Sequence, residues 1–172
     1  STQQQKTMIF NSKPPEEFKN FQEKLNEFDI VLKQRIIEAR EKAKEDKQKG
    51  LREGLREDSE IFKINNEKTR YIYDLYYVEK TMPKKVYQWI LKEKLIDNVL
   101  LAKWKKKGYE QLCCTRCINR KEFLAGDKVC ICRVSTNSQN KGKKNKKKGG
   151  DGDDKEITIC TLCGCNGCTT QQ

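Results

Sequence analysis

Apolar residues recur at alternating three- and four-residue steps from Phe18 through Phe21, Leu25, Phe28, Leu32, Ile36 and Ala39 to Ala43, the spacing of one helix face. Pro14 and Pro15 open the stretch, Glu16 and Glu17 follow in its first turn, and Gly50 lies beyond its end. These signals predict a helix over about residues 16–49. Ile30, Val31 and Ile37 fall off the stripe. A helix of this length spans roughly 50 Å at 1.5 Å per residue, and no other segment predicts an equally long partner. Its apolar face is therefore expected to rest partly on other proteins, the alternative being that it folds back on its own domain.

Three shorter helices follow a charged connector, "GLREGLRED". The first runs from about Ile61 to Tyr77, with Ile61, Ile64, Ile72, Leu75 and Tyr76 on its buried side. The next, "KKVYQWILKEKL", has Pro83 in its first turn, where a missing N–H costs nothing. The last starts at Asp97, a good N-cap, carries Val99, Leu100, Leu101 and Trp104, and ends in Lys105, Lys106, Lys107 and Gly108. Cations in a last turn complement the helix dipole without any ligand. The tyrosines of "YIYDLYY" read as helix packing with hydroxyls at the rim rather than as a base-stacking platform.

After Cys113 the periodicity stops. Cysteines arrive instead, as "LCCTRC", "VCIC" and "CTLCGCNGC", nine in a chain of 172 residues with no histidine. Between the last two groups lies a low-complexity loop, residues 135–156, basic and then acidic, with too little apolar content to fold. The expected fold is thus mainly α: a helical region over residues 1–109, then a small irregular cysteine-rich zinc module over residues 110–170.

Composition and charge narrow the function classes. With 35% hydrophobic and 36% charged residues there is no run of the ~20 apolar residues that a spanning helix requires, so no membrane is expected. The opening "STQQQKTMIF" lacks the build of a signal peptide. A reducing compartment is expected, where paired cysteines bind metal more often than one another. The net charge of +12 favours polyanions such as RNA or DNA.

Three C-x-x-C pairs, Cys114 with Cys117, Cys160 with Cys163 and Cys165 with Cys168, have the spacing that lets two thiolates share one tetrahedral zinc. Two separate four-cysteine sites would leave one thiol idle, Cys113 or Cys114. Three zincs need twelve metal–sulfur bonds, and nine thiolates supply them when six are terminal and three each bridge two ions. Cys113 beside Cys114, Cys130 next but one to Cys132, and Cys163 next but one to Cys165 place donors too close for comfort at one ion. The shared three-zinc cluster is therefore preferred, with two four-cysteine sites as the alternative. Either core is anionic, at −3 or −4, and wants cations; Arg116, Arg120, Lys121 and Arg133 are placed to supply them.

With every thiolate coordinated no metal position stays open, and the site is structural rather than catalytic. There is no histidine general base, phosphate-binding "GxxxxGK" or nucleophile, and no small-molecule substrate is implied. A RING-type ubiquitin ligase is the main rival, weakened by the one-residue gap between Cys163 and Cys165 and by the missing histidine. A thioredoxin-like redox centre lacks its βαβ pattern.

In this order "TRYIYDLYY", "LLAKWKKKGYEQLCCTRCI", "CICRV" and "CGCNGC" resemble the G-ten family, also called bud-site-selection protein thirty-one, and "KPPEEF" matches its amino-terminal pattern. The resemblance covers most of the chain and is weakest across residues 38–60 and 135–159. It implies a nuclear, non-enzymatic pre-mRNA splicing factor, docked on the large central scaffold protein with nineteen-complex-related subunits, near the catalytic snRNA. The family's metal ligands carry over to Cys113, Cys114, Cys117, Cys130, Cys132, Cys160, Cys163, Cys165 and Cys168. Leu162 stands where the family often has histidine, which argues against a metal ligand there; the lysine-rich loop is longer than the family's. Contacts to snRNA or pre-mRNA are expected from Lys103, Lys105, Lys106, Lys107, Arg116, Arg120, Lys121 and Arg133 as a group, each being an ordinary solvated charge when taken alone.

Overall fold

The computed structural model describes residues 9–50, 57–119, 130–134, 159–160 and 162–169. Among them the regular structure is helical and no strand occurs: α1 spans Lys19–Gln48, α2 Glu57–Tyr73, α3 Lys84–Lys92 and α4 Asn98–Trp104. None of these helices is long and apolar enough to cross a membrane.

Pro15 sits extended at φ −59° and ψ 149° and its carbonyl accepts the Phe18 N–H at 3.0 Å, closing a 3-10 turn over Glu16–Phe18 that leads into α1. At the far end Gly50 takes φ +68°, a left-handed conformation that suits glycine, and its N–H reaches the Lys47 carbonyl at 3.2 Å.

α2 folds back antiparallel along α1. Phe28 lies 5.8 Å from Tyr71 between ring centroids, Asp29 accepts from Lys68 at 2.9 Å, and Arg35 pairs with Glu67 at 3.0 Å. Partly exposed pairs of this kind each contribute about 0–1 kcal/mol; they set register more than stability. The long helix thus folds back in part on its own chain, the alternative the sequence left open, against a partner that is not equally long. α2 is shorter, however, and the α1 stripe is buried only at Phe18 and Leu25 and is exposed by Ala43.

On α2 the buried line runs through Ile64, Thr69 and Ile72, whereas Ile61, expected inside, is 42% exposed. Phe62, one residue and about 100° further round the helix, takes the inward place against the cysteine-side core. Past Tyr73 the helix widens into a π turn over Asp74–Val78, closed by Glu79 N–H to the Asp74 carbonyl at 2.8 Å. Tyr76 stacks on Tyr87 at 3.8 Å and 4°, and the Tyr77 and Tyr87 hydroxyls meet at 3.1 Å, so these tyrosines do pack.

Pro83 precedes α3 as its cap instead of lying in its first turn, and its carbonyl accepts from Val86 and Tyr87 at 3.0 and 3.1 Å. Asp97 caps α4 as expected, accepting the Leu100 N–H at 2.9 Å. Val99, by contrast, is exposed.

Two buried clusters result. One is carbon: Phe18, Leu25, Ile72, Val86, Trp89 and Ile90 among others, with Phe10 edge-on to Phe18 and Trp89. The segment just before α1 straps this core, since Ser12 accepts from the Trp89 indole at 3.0 Å and donates to Glu93. That bond, with a second from the Asn11 N–H, holds the Glu93 carboxyl below its ordinary range. The second cluster joins Leu100, Trp104 and Leu112 to the cysteines, so α4 reaches both cores.

Candidate metal centre

Three short pieces of chain bring the sulfurs together. Cys113, Cys114 and Cys117 lie just after Leu112, partly within a 3-10 turn over Arg116–Ile118. Cys130 and Cys132 come with a second such turn over Ile131–Arg133. The last four cysteines lie in a loop where Gly164 and Gly167 both take positive φ, 73° and 125°. There the Gly164 N–H reaches the Cys160 carbonyl at 2.8 Å and the Cys160 N–H reaches the Cys165 carbonyl at 2.9 Å. A further N–H, from Cys168 to the Cys132 carbonyl at 2.8 Å, stitches the second piece to the third.

The helical region holds the first piece in place. From α2, the Asn66 side-chain amide donates to the carbonyls of both Leu112 and Cys113, at 3.2 and 2.9 Å. Arg70 donates to the Glu110 carbonyl at 2.9 Å while its guanidinium lies 3.5 Å over the Trp104 ring. The Trp104 indole in turn donates to the Leu112 carbonyl at 2.8 Å. None of these supports was singled out from sequence. The signal was present as polar Asn66, Thr69 and Arg70 at three- and four-residue steps along a helix face that also carries apolar residues.

The nine sulfurs converge into one contact cluster. Cys113 lies 3.9 Å from Cys114, 3.8 Å from Cys132 and 3.4 Å from Cys163. Cys117 lies 3.6 Å from Cys114, 3.7 Å from Cys160 and 3.5 Å from Cys163. Cys130 is 3.4 Å from Cys160 and 3.6 Å from Cys132, which is also 3.6 Å from Cys168. A zinc–sulfur bond of about 2.3 Å puts the corners of a regular tetrahedron about 3.8 Å apart. The observed separations are close to that edge, and the donors are all thiols, so the residues fit a thiophilic tetrahedral ion.

Three sets of four sulfurs each lie within 4.8 Å of one another: Cys113, Cys114, Cys117 and Cys163; Cys113, Cys132, Cys163 and Cys165; and Cys117, Cys132, Cys160 and Cys163. The sets overlap, and Cys163 belongs to all three. Crowding sets the thiols against one another. Hydrogen bonding, with Cys114 foremost, pushes Cys113 far up; burial pushes Cys160 up to about 11; and bonds from Cys113 and Cys132 pull Cys165 down to about 3. A coordinating divalent ion removes this conflict by deprotonating its thiols outright.

Of the expected basic residues, Arg133 turns inward. It donates to the carbonyls of Gly108 and Cys168, approaches the Cys168 sulfur at 3.6 Å and lies over the Tyr109 ring. Arg116 lies 5.6 Å over Phe62, and Lys103 and Lys105 lie over Tyr109 and Tyr77. Lys106 and Lys107 are exposed at the end of α4. Arg120, Lys121 and the lysine-rich loop lie outside the described residues. Leu162 is partly buried against the sulfur core and contributes carbon to it.

Comparisons with known proteins give the chain's family. Residues 2–170 match the model of the family described as Pre-mRNA-splicing factor BUD31. Pre-mRNA-splicing factor BUD31 of Saccharomyces cerevisiae is 42% identical over 125 residues, covering 72% of this chain and 74% of that protein. Pre-mRNA-splicing factor cwf14 of Schizosaccharomyces pombe is 47% identical over 81 residues, 47% of this chain and 55% of that protein. A BUD31 homolog of Branchiostoma belcheri is 48% identical over 82 residues, 48% of this chain and 56% of that protein. A match along nearly the whole sequence, with a relative aligned over more than two thirds of both chains, makes this chain a member of the BUD31 family of pre-mRNA-splicing factors.

Proposed function

We propose that this chain is a nuclear, non-catalytic structural subunit of the splicing machinery, whose nine cysteines hold three zinc ions in one shared cluster. The observation that carries the reading is the convergence of seven sulfurs into three overlapping four-sulfur sets, with Cys130 and Cys168 each 3.6 Å from the Cys132 sulfur at their edge. Cys113, Cys117 and Cys132 each have three sulfur neighbours at 3.4–3.9 Å, whereas Cys163, although it belongs to all three sets, has two, Cys113 and Cys117. They act as the three bridges.

The terminal pairs then follow from proximity. Cys114 and Cys163 complete the ion between Cys113 and Cys117; Cys165 and Cys168 the ion between Cys113 and Cys132; Cys130 and Cys160 the ion between Cys117 and Cys132. All-thiolate tetrahedra suit zinc. Bound there, zinc supplies cross-links between chain segments and no open coordination position. A RING-type ligase is disfavoured by the same overlap, because a cross-brace keeps its two ligand sets apart.

With the cluster fixed, Lys103, Lys105, Lys106, Lys107 and Arg116, together with Arg120 and Lys121, present cations to the phosphates of snRNA or pre-mRNA. Arg133 screens the cluster. The α1 face left open at Ile30 and Ile37, 59% and 54% exposed, serves docking on scaffold proteins and neighbouring splicing subunits.

Affinity purification of the tagged chain from nuclear extract tests the reading. It is expected to enrich spliceosomal snRNAs and to lose them when Cys117→Ser breaks the cluster. Absence of snRNA from the intact protein, or ubiquitin chains formed with a conjugating enzyme, would overturn it.

A further inference from the structure

We propose, on the shared-cluster reading above, that the cluster has one reactive corner: Cys165 is the site at which soft carbon electrophiles enter, and its modification releases one of the three ions. Seven of the nine cysteines are buried, and only Cys113 and Cys165 are half-exposed. Both line a cavity of about 270 Å³ between α2 and the last cysteine loop, walled on the far side by Phe62, Asn66 and Gln111; the buried Cys163 and Cys168 also border it, so exposure rather than the cavity alone separates the sulfurs. It has room for a small unsaturated carbonyl compound.

Bonding separates the two exposed sulfurs. Cys113 bridges two ions and shares its negative charge between them. Cys165 is terminal, keeps more of its charge, and has a single metal bond to lose. The other terminal thiolate on the same ion, Cys168, is buried and faces the Arg133 guanidinium at 3.6 Å, which draws down its nucleophilicity. With Cys113 and Cys132 held as thiolates on the metal and no longer donating to it, Cys165 keeps the neutral Gly167 N–H, at 3.2 Å, as a donor. Since the thiolate is the nucleophile, exposure and charge together select Cys165.

The chemistry balances without an oxidant. The Cys165 sulfur attacks the alkene carbon of an α,β-unsaturated carbonyl compound and a C–S bond forms. The alkene pair shifts toward the carbonyl, and the resulting enolate takes a proton from water. The product is a neutral thioether, a poor ligand, so its metal bond breaks and the ion is left with three donors and departs. The other two ions keep the seven thiolates that hold them, and Cys168 is left without a metal.

Limiting N-ethylmaleimide on the zinc-loaded full chain tests this, with zinc counted by native mass spectrometry and the adduct placed by peptide mapping. The first adduct is expected on Cys165, with loss of one ion. Cys165→Ser should slow first modification by about tenfold or more, as removal of the accessible thiolate demands. Gln111→Trp, which narrows the cavity without touching a ligand, should slow it while leaving the zinc count unchanged. A first adduct on any cysteine other than Cys165, Cys113 included, or loss of all ions at the first adduct, would overturn the proposal. A starting count other than three would count against the cluster reading alone, since the order of modification is read independently.

Discussion

Leu25 and Cys117 are both fully buried, yet what holds their surroundings together differs. Leu25 belongs to a core of carbon, with Val86, Trp89 and Ile90, whose members came together from three parts of the chain because each removed apolar surface from water. Burying one such side chain contributes about 1.5–3 kcal/mol. Cys117 sits among other sulfurs at 3.5–3.7 Å, contributed by short pieces with little carbon of their own. On the proposed reading such a core of crowded thiols is held by the ion it binds, and binding of structural zinc is worth about 10–16 kcal/mol in small domains. The molecule would then use two means of closing a core, with α4 between them.

The largest contrast should appear on removing metal. The two tryptophans report on the two cores separately, Trp89 from the carbon core and Trp104 from the sulfur side. In Trp89→Phe, leaving Trp104, a chelator is expected to shift emission to the red as the cysteine region loses its structure. In Trp104→Phe, leaving Trp89, the shift should be absent or small. Equal shifts in both would erase the distinction drawn between the cores.

Substitutions within the sulfur core sharpen it next. Cys117→Ser removes a bridge and should lower the zinc count by more than one, whereas Cys114→Ser removes a terminal donor and should cost one ion at most. Elemental analysis of the purified variants gives the answer; equal losses would argue against the assigned bridges.

On the carbon side, Leu25→Ala should destabilise the helical region by about 2–5 kcal/mol in thermal or denaturant unfolding, with bound zinc unchanged. Loss of zinc in that variant would mean that the two cores fold as one. The smallest effect probes the join between them. Asn66→Ala leaves the carbonyls of Leu112 and Cys113 without their amide donor, and outer supports of this kind change metal affinity by about 10–100-fold. A chelator competition assay should show weaker zinc binding; an unchanged affinity would make Asn66 a packing residue only.

Much of this division was legible in the sequence because its causes are local. The three- and four-residue stripe of α1, the Asp97 cap and the glycine after α1 act within a few residues, and the structure has them where the pattern puts them. The cysteine spacing likewise pointed to metal. Other features depend on partners distant in sequence. Ile61 and Phe62 compete for one inward position, and the cysteine-side core, not the helix period, decides for Phe62. Ser12 becomes a strap only because Trp89 and Glu93 are brought to it. Arg133 reads from sequence as a cation for the cysteine core or for RNA, and the carbonyls of Gly108 and Cys168, distant in sequence, turn it toward the core. The widening of α2 into a π turn has no proline or glycine to announce it.

The central claim is that nine thiolates hold three ions in one cluster. Native mass spectrometry of the zinc-loaded chain, followed by exhaustive alkylation under native conditions with a bulky reagent that the cavity excludes, tests it most directly. The account predicts three zinc ions and no alkylated cysteine; two ions with one cysteine fully alkylated would contradict it.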